Sequence, residues 1–443
     1  VTDDHHIPVN SQQSRAVATA PIDLSKRDLT VDLIRVFCVL LIVVIHLLEV
    51  GIGTSATGAL VVSRTLELQP WFNGASWAGQ IMPLFFVVGG FASLTSWHRL
   101  RARDGRAADF VRGRILRLSL PALPLFLFYV VAIGVATALH VDPALLQTVT
   151  TGAGAPLWFV AAYTLVQSLV PVMVRMHERA PRATLGILLL AAIAVDVARY
   201  STHTVPLGLI NLLFVWLFAQ QVGFWYADGW FARRTWLQLV VLATVCYLAL
   251  VPLTSVGPYS RDALTDLNPP TVPLMVLAVA QACVLQLARP ALAALMRTRG
   301  ARAFVSVAGT RLMTIYLWHL PLIIALAGIA LLIPGATPEP ASSAWWWSRP
   351  IFYVLALAGV YALSIPLGWF ERPRPLQAAP SNAVVAICAV LTFVPAFVVL
   401  QWYLDLANAI IGAVCLGVVA ITLNRRPGGS PKLPKVPTKM SVE

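Results

Sequence analysis

Apolar runs long enough to cross a lipid bilayer recur from one end of this 443-residue chain to the other. No other feature constrains the fold as strongly. The hydrocarbon layer is roughly 30 Å thick, which takes about twenty helical residues. Inside it every backbone N–H and C=O must find its partner within the chain, so only helices or a closed barrel can cross. The runs are too long, and alternate too little, for barrel strands. Crossings are therefore expected as helices at 32–52, 76–97, 115–138, 156–174, 184–200 and 205–226, then at 235–254, 271–289, 308–333, 350–370, 382–400 and 403–422. The expected fold class is all-α, a polytopic integral membrane bundle of about 12 transmembrane helices.

Composition agrees. The chain is 58% hydrophobic and 12% charged, against ~45–50% apolar and ~25% charged in soluble domains. Its length leaves no room for a large separate soluble domain. The net charge of +13 comes from 32 Lys and Arg against 19 Asp and Glu. In a soluble chain that balance would raise nucleic acid as a partner. Here the basic residues sit between apolar segments, so no nucleic-acid partner is expected.

Their distribution sets an orientation instead. "WHRLRARDGRAADFVRGRILR" carries Arg99, Arg101, Arg103, Arg106, Arg112, Arg114 and Arg117. Arg175, Arg179 and Arg182 follow two crossings later, then Arg233 and Arg234, then Arg297, Arg299 and Arg302, then Arg372 and Arg374. The tail adds Arg425, Arg426 and three lysines. Alternate loops are sparse in Lys and Arg. By the positive-inside rule this regular beat implies an even number of crossings in the plasma membrane with both termini cytoplasmic.

Other features are quieter. The five cysteines (38, 246, 283, 388 and 415) all fall in apolar segments and read as small buried hydrophobes. No spacing suggests a disulfide framework or a metal site. Residues 1–30 lack the pattern of a signal peptide, and His5 and His6 within them read as surface. The closing "GGSPKLPKVPTKMSVE" reads as a flexible basic tail near anionic lipid. Pro83, Pro121, Pro124, Pro273, Pro321 and Pro366 imply interrupted or kinked helices. "VPLTSVGPYSRDALTDLNPPT" reads either as an external mouth around Arg261, Asp262 and Asp266 or as a plain surface loop.

The chemistry is concentrated in three places. "VDLIRVFCVLLIVVIHLLEV" puts Arg35 and His46 eleven residues apart, close to three helical turns. They leave the helix in nearly the same direction, roughly 16 Å apart along its axis. Asp32 lies one turn before Arg35 and Glu49 one turn after His46. A buried arginine needs an anion or a water-filled cavity. A neutral imidazole accepts a proton when a neighbour such as Glu49 orients its other nitrogen. Next, "RGRILRLSLPALP" places Arg114 and Arg117 one turn apart, with Arg112 beside them, as a basic edge whose guanidinium groups match phosphate oxygens. Finally, "GTRLMTIYLWHLPLI" puts Tyr316 and His319 on one helix side next to Trp318, with Arg311 at its start. The layout suits a phosphate-bearing donor reaching a deeper base. A twelve-helix secondary transporter, with its broken helices and buried charge, is the other reading, and a non-catalytic membrane component the third.

These same residues resemble the membrane acyltransferase 3 family. The family's Arg–ten residues–His signature is matched by Arg35 and His46, and its paired arginines by "RILR", Arg114 to Arg117. "MPLFFVVGGFA", "PLWFVAAY" with Trp158 and Phe159, "IYLWHLPL" and "WFERP" also fit. The resemblance spans about 28–375, or ten crossings. It divides the chain into a tail (1–30), the acyltransferase 3 transmembrane domain (31–375), two additional helices (376–424) and a basic tail (425–443).

The resemblance implies transfer of an acyl group, commonly acetyl, from a cytoplasmic acyl-coenzyme A to a hydroxyl. The acceptor would be a cell-envelope glycan, a glycolipid or a secreted metabolite. No permanently bound cofactor is implied. Arg35, Arg114 and Arg117 would hold the coenzyme's phosphates, and His46 would be the general base, with Glu49 orienting it. Trp158 would belong to the substrate tunnel. Tyr316, Trp318 and His319 would shape that tunnel or stabilise developing negative charge. Two departures bear on the substrate: Gly89-Gly90 stands where many relatives have Ser-Gly, and two crossings follow the tenth.

Overall fold

The computed structural model describes residues 28–55, 57–371 and 380–424. The two tails and the Arg372 and Arg374 stretch lie outside the described residues. In chain order the elements are α1 (Leu29–Glu49), β1 (Val50–Thr54), β2 (Leu60–Arg64), α2 (Phe72–Gly79), α3 (Met82–Arg101) and α4 (Ala107–Ala138). There follow α5 (Pro143–Gly154), α6 (Leu157–Ser168), α7 (Val170–Arg179), α8 (Pro181–Thr202), a 3-10 turn (Val205–Ile210), α9 (Asn211–Ala227) and α10 (Trp236–Ser255). The last six are α11 (Val272–Leu295), α12 (Arg299–Gly309), α13 (Leu312–Leu331), α14 (Ser343–Glu371), α15 (Asn382–Trp402) and α16 (Leu406–Asn424). Twelve stretches are long and apolar enough to cross a membrane. The protein is a multi-pass helical membrane protein, with the number of crossings expected from the sequence.

Some boundaries differ for local reasons. The first crossing stops at Glu49 instead of running to 52, because "VGIGT" joins two helix-weakening glycines to β-branched residues. That segment is β1, paired antiparallel with β2 in the register Val50 to Arg64 and Thr54 to Leu60. The hairpin is the main departure from the all-helical expectation. The second crossing is two helices, α2 and α3, with Pro83 in the first turn of α3, where its missing N–H costs nothing. The fourth, expected over 156–174, is α5 and α6 meeting at Pro156, and α7 is separate. Pro273 likewise opens a helix, whereas Pro121, Pro124, Pro321 and Pro366 lie inside continuous ones.

Backbone contact fixes the centre. A Cβ added at Gly223 of α9 would lie 2.9 Å from Gly90 Cα and from Phe91 N in α3. One at Gly90 would lie 3.0 Å from the Gln220 carbonyl carbon. Small residues serve this purpose in membranes, where close van der Waals packing replaces the hydrophobic effect between helices. The two C-terminal helices are built into the bundle, α15 against α6 and α16 against α4. Arg112, read from the sequence as part of a phosphate-binding edge, is buried here. It donates through Nε and Nη2 to the Leu423 carbonyl at 2.9 and 2.6 Å. It ties down the end of α16. Helix α1 runs through the interior and touches α3, α11, α12, α13 and α14.

The 256–271 loop folds onto the bundle. Trp77 donates to the Arg261 carbonyl, and the Ala263 N–H donates to Ser76 Oγ. Asp196 of α8 accepts from Asn211 Nδ2 at 2.8 Å and from the Tyr259 hydroxyl and Val272 N–H at 3.0 Å each. Asp266 accepts from the Ser260 N–H at 3.0 Å. Burial pushes its carboxyl up to about 7, with Asp196 adding to the rise and the Ser260 N–H and Arg199 opposing it.

Two outcomes follow for stability. Gly223→Ala forces α3 and α9 apart and lowers the thermal midpoint in detergent, at a cost of about 1–3 kcal/mol; Gly186→Ala, which meets nothing within 4 Å, does not. For Asp266, the folded carboxyl keeps its proton while the unfolded one loses it above 3.8. Its contribution is therefore present at low pH and lost as pH rises toward about 7. Asp266→Asn keeps the acceptor without the charge. Its melting temperature should gain on the parent as pH rises through that window, by about 2 °C or more above neutrality.

Candidate functional site

The site is organised by α1. Asp28 caps its start by accepting from the Thr30 N–H at 3.1 Å, and Arg289 of α11 pairs with Asp28 at 3.2 Å. Arg35, one and a half turns in, is half-buried, and its Nε is buried without a hydrogen-bond partner. On α4, Arg114 is half-buried with its guanidinium 4.9 Å from the Phe110 ring. It is close enough to feel the charges of Arg35 and Arg117 and the Tyr163 hydroxyl. Among the described residues neither Arg35 nor Arg114 has an ion-pair partner. Arg117 is exposed on the same helix side. Two half-buried guanidinium groups without an ion-pair partner among the described residues have the chemistry to take an anion.

At the other end of α1, His46 Nδ1 lies 3.2 Å from Glu49 Oε2. A carboxylate only accepts, so Nδ1 carries a hydrogen, and in the neutral ring Nε2 is the lone-pair nitrogen. The His46 ring is 5.2 Å from that of His319 on α13. His319 is fully buried, and its Nδ1 lies 2.5 Å from the Tyr316 carbonyl. A carbonyl only accepts, so that nitrogen carries the hydrogen. His319 Nε2 is thus also a bare lone pair, with no partner among the described residues.

Aromatic side chains join the two ends. Tyr163, near Arg114, stacks on Phe159 at 5.0 Å. Phe159 meets Tyr316 at 4.7 Å, and Tyr316 meets His319 at 5.7 Å. Trp158 stacks on Trp216 at 5.7 Å beside Phe159. A continuous chain of ring contacts therefore runs from the arginines to the paired imidazoles. The Tyr316 hydroxyl donates to the Pro156 carbonyl at 2.8 Å, pinning α13 to the break between α5 and α6. Trp318 turns away, toward Phe128 of α4 at 5.1 Å.

The structure thus brings Arg35, Arg114, Trp158, Tyr316 and His319 into one interior system with His46 and Glu49. It leaves Arg117 at the rim and Trp318 on another face. With the Tyr316 hydroxyl and the His319 Nδ1–H both spent on carbonyls, neither has a free hydrogen for a developing oxyanion.

Three contributors escaped sequence reasoning. Glu371, in "WFERP", accepts from the Thr314 N–H at 2.6 Å and from the Thr314 hydroxyl, capping the helix that carries Tyr316 and His319. Tyr163 was one aromatic among many. Arg64 of β2 donates to Glu49 Oε1 at 2.7 Å. Its signal was present, since it is the only Lys or Arg between residues 50 and 71.

A protein-family model described as "Acyltransferase domain" matches residues 28–369, well over half of the chain. The chain belongs to the membrane acyltransferase 3 family. It is an acyltransferase, and the transporter and non-catalytic readings give way to that. The matched region holds every site residue described above except Glu371, and ends before α15 and α16. Comparison with curated proteins and with solved structures returns no match.

Proposed function

We propose that this acyltransferase moves an acyl group, acetyl in the simplest case, from acyl-coenzyme A to a hydroxyl of a cell-envelope glycan, glycolipid or secreted metabolite. The donor enters from the arginine-rich face, which the positive-inside rule makes cytoplasmic in the plasma membrane. The observation that carries the reading is the pairing of Arg35 and Arg114, without an ion-pair partner among the described residues, with a His46 that meets a carboxylate, linked by one run of aromatic rings.

Arg35 and Arg114 hold the coenzyme's phosphates, with Arg117 at the approach. The fit is chemical: phosphate oxygens supply the acceptors that these guanidinium groups lack. The pantetheine arm then runs along Tyr163, Phe159 and Tyr316, and the thioester reaches the imidazoles. His46 Nε2 takes the hydroxyl proton as the acceptor oxygen attacks the thioester carbonyl. A C–O bond forms, the tetrahedral intermediate collapses, and the C–S bond breaks. The thiolate leaves and takes the proton back from His46. Glu49 stabilises the imidazolium between those steps, and His319 Nε2 offers the entering hydroxyl a second acceptor.

Two variants test this in membrane vesicles given radiolabelled acetyl-coenzyme A and unacylated envelope material. His46→Ala should lower transfer by about a hundredfold or more while insertion and melting stay as in the parent. Undiminished product would remove His46 as the base. Arg114→Ala should raise the donor KM by about tenfold, with a smaller effect on kcat. Unchanged coenzyme binding by the purified variant would remove the phosphate role.

A further inference from the structure

The hairpin beyond α1 carries a residue that faces the base only through another side chain. Strand β1 follows Glu49 directly, and the register sets Arg64 across from Val50. The Thr65 N–H donates to the Glu49 carbonyl at 3.1 Å. At the far end, Thr54 donates through its N–H and hydroxyl to the Thr337 carbonyl, at 3.1 and 3.0 Å. A Cβ on Gly51 would collide with the Thr65 hydroxyl, so the strand passes close under the chain that follows Arg64. Arg64 therefore stands on a support tied at both ends.

Its guanidinium fork divides between two carboxylates. Nη2 lies 2.7 Å from Glu49 Oε1 and Nη1 lies 2.8 Å from Glu67 Oε1. Glu49 in turn divides its oxygens, Oε1 to Arg64 and Oε2 to His46 at 3.2 Å. The side chain of Arg64 is 68% exposed and that of Glu49 only 13%. An ion pair between two exposed groups contributes little. Here the carboxylate is nearly buried, and stripping it of its cation leaves a poorly solvated charge beside the base. The other ionisable group against His46 is His319 of α13, whose lone pair supplies no positive charge.

We infer that Arg64 is a positioning residue for acyl transfer: it holds Glu49 in the one orientation that presents Oε2 to His46 Nδ1. This rests on His46 being the base. With Arg64 in place the carboxylate cannot turn away without breaking a charge-assisted bond, so the His46 tautomer with a free Nε2 is kept. Partners that orient a metal-ligating histidine commonly account for about 10–100-fold in activity, and the lower end of that range sets the scale for a partner acting through Glu49. The interaction also couples the outer hairpin to the reaction. Whatever displaces the hairpin loosens the base.

The experiment is a mutant cycle in membrane vesicles with radiolabelled acetyl-coenzyme A. Mass spectrometry of envelope and secreted material from producing cells gives a second readout that does not depend on the donor's identity. Arg64→Gln should lower kcat and cellular product about tenfold, with donor KM within about twofold. Arg64→Lys, which keeps the charge but not the fork, should recover to within about threefold of the parent. In a Glu49→Gln background, Arg64→Gln should change the rate by less than about twofold, because its route to His46 is already cut. An unaffected Arg64→Gln overturns the proposal, as does a lysine variant no better than glutamine. A full Arg64 effect without Glu49 overturns it too. His46→Ala, assayed alongside, separates the failures: if active, the base assignment falls; if inactive while Arg64→Gln is normal, only the role of Arg64 falls.

Discussion

Hydrocarbon offers no hydrogen-bond partner, and the architecture follows from that. The backbone is satisfied in helices, and many buried polar side chains are answered by other side chains or by carbonyls. Asp196 accepts three hydrogen bonds. His177 has a partner at each ring nitrogen, Gln221 at 2.9 Å and Asp228 at 2.8 Å. Arg112 is committed to the last turn of α16. Among the described residues fourteen buried side-chain polar atoms have no hydrogen-bond partner, and Arg35 Nε and His319 Nε2 are two of them.

The bundle makes those groups useful by bringing them together. Glycine contacts between α3 and α9 let the two helices touch backbone to backbone, and the rings of Phe86, Phe159 and Tyr163 fill the adjoining space. Glu371 caps α13, and Tyr316 ties the same helix to Pro156. The two imidazoles come from helices far apart in the chain, yet their separation is set by these structural bonds. A catalytic arrangement held by packed helices needs little reorganisation when substrate arrives.

Helix α1 carries Arg35 and His46 on one side, since an eleven-residue spacing returns the chain to the same face three turns later. The Arg35 end lies near Arg114 of α4, and the His46 end meets α13 and, through Glu49, the hairpin. One helix thus sets the distance between the two ends. The helices beyond the family core, α15 and α16, brace α6 and α4, the elements that bear Trp158 and Arg114.

Much of this was legible in the residues. The crossings announced themselves, because a hydrophobic run of bilayer length has few other uses, and helix periodicity alone put Arg35, His46 and Glu49 on one side of α1. Arg114 was legible as a family motif, but its neighbour Arg112 was misread. Only packing revealed that one guanidinium faces a helix end and the other the interior. The hairpin was hidden because five residues of Val, Gly, Ile and Thr continue an apolar run without a break. Local sequence therefore determined the membrane class, the helices and the position of each reactive group along its own helix, since these depend on neighbours in the chain. Tertiary structure alone decided that His46 meets His319, that Arg64 reaches Glu49, and that Arg35 and Arg114 find no ion-pair partner among the described residues. Those relations join residues far apart in sequence, and no local periodicity encodes them.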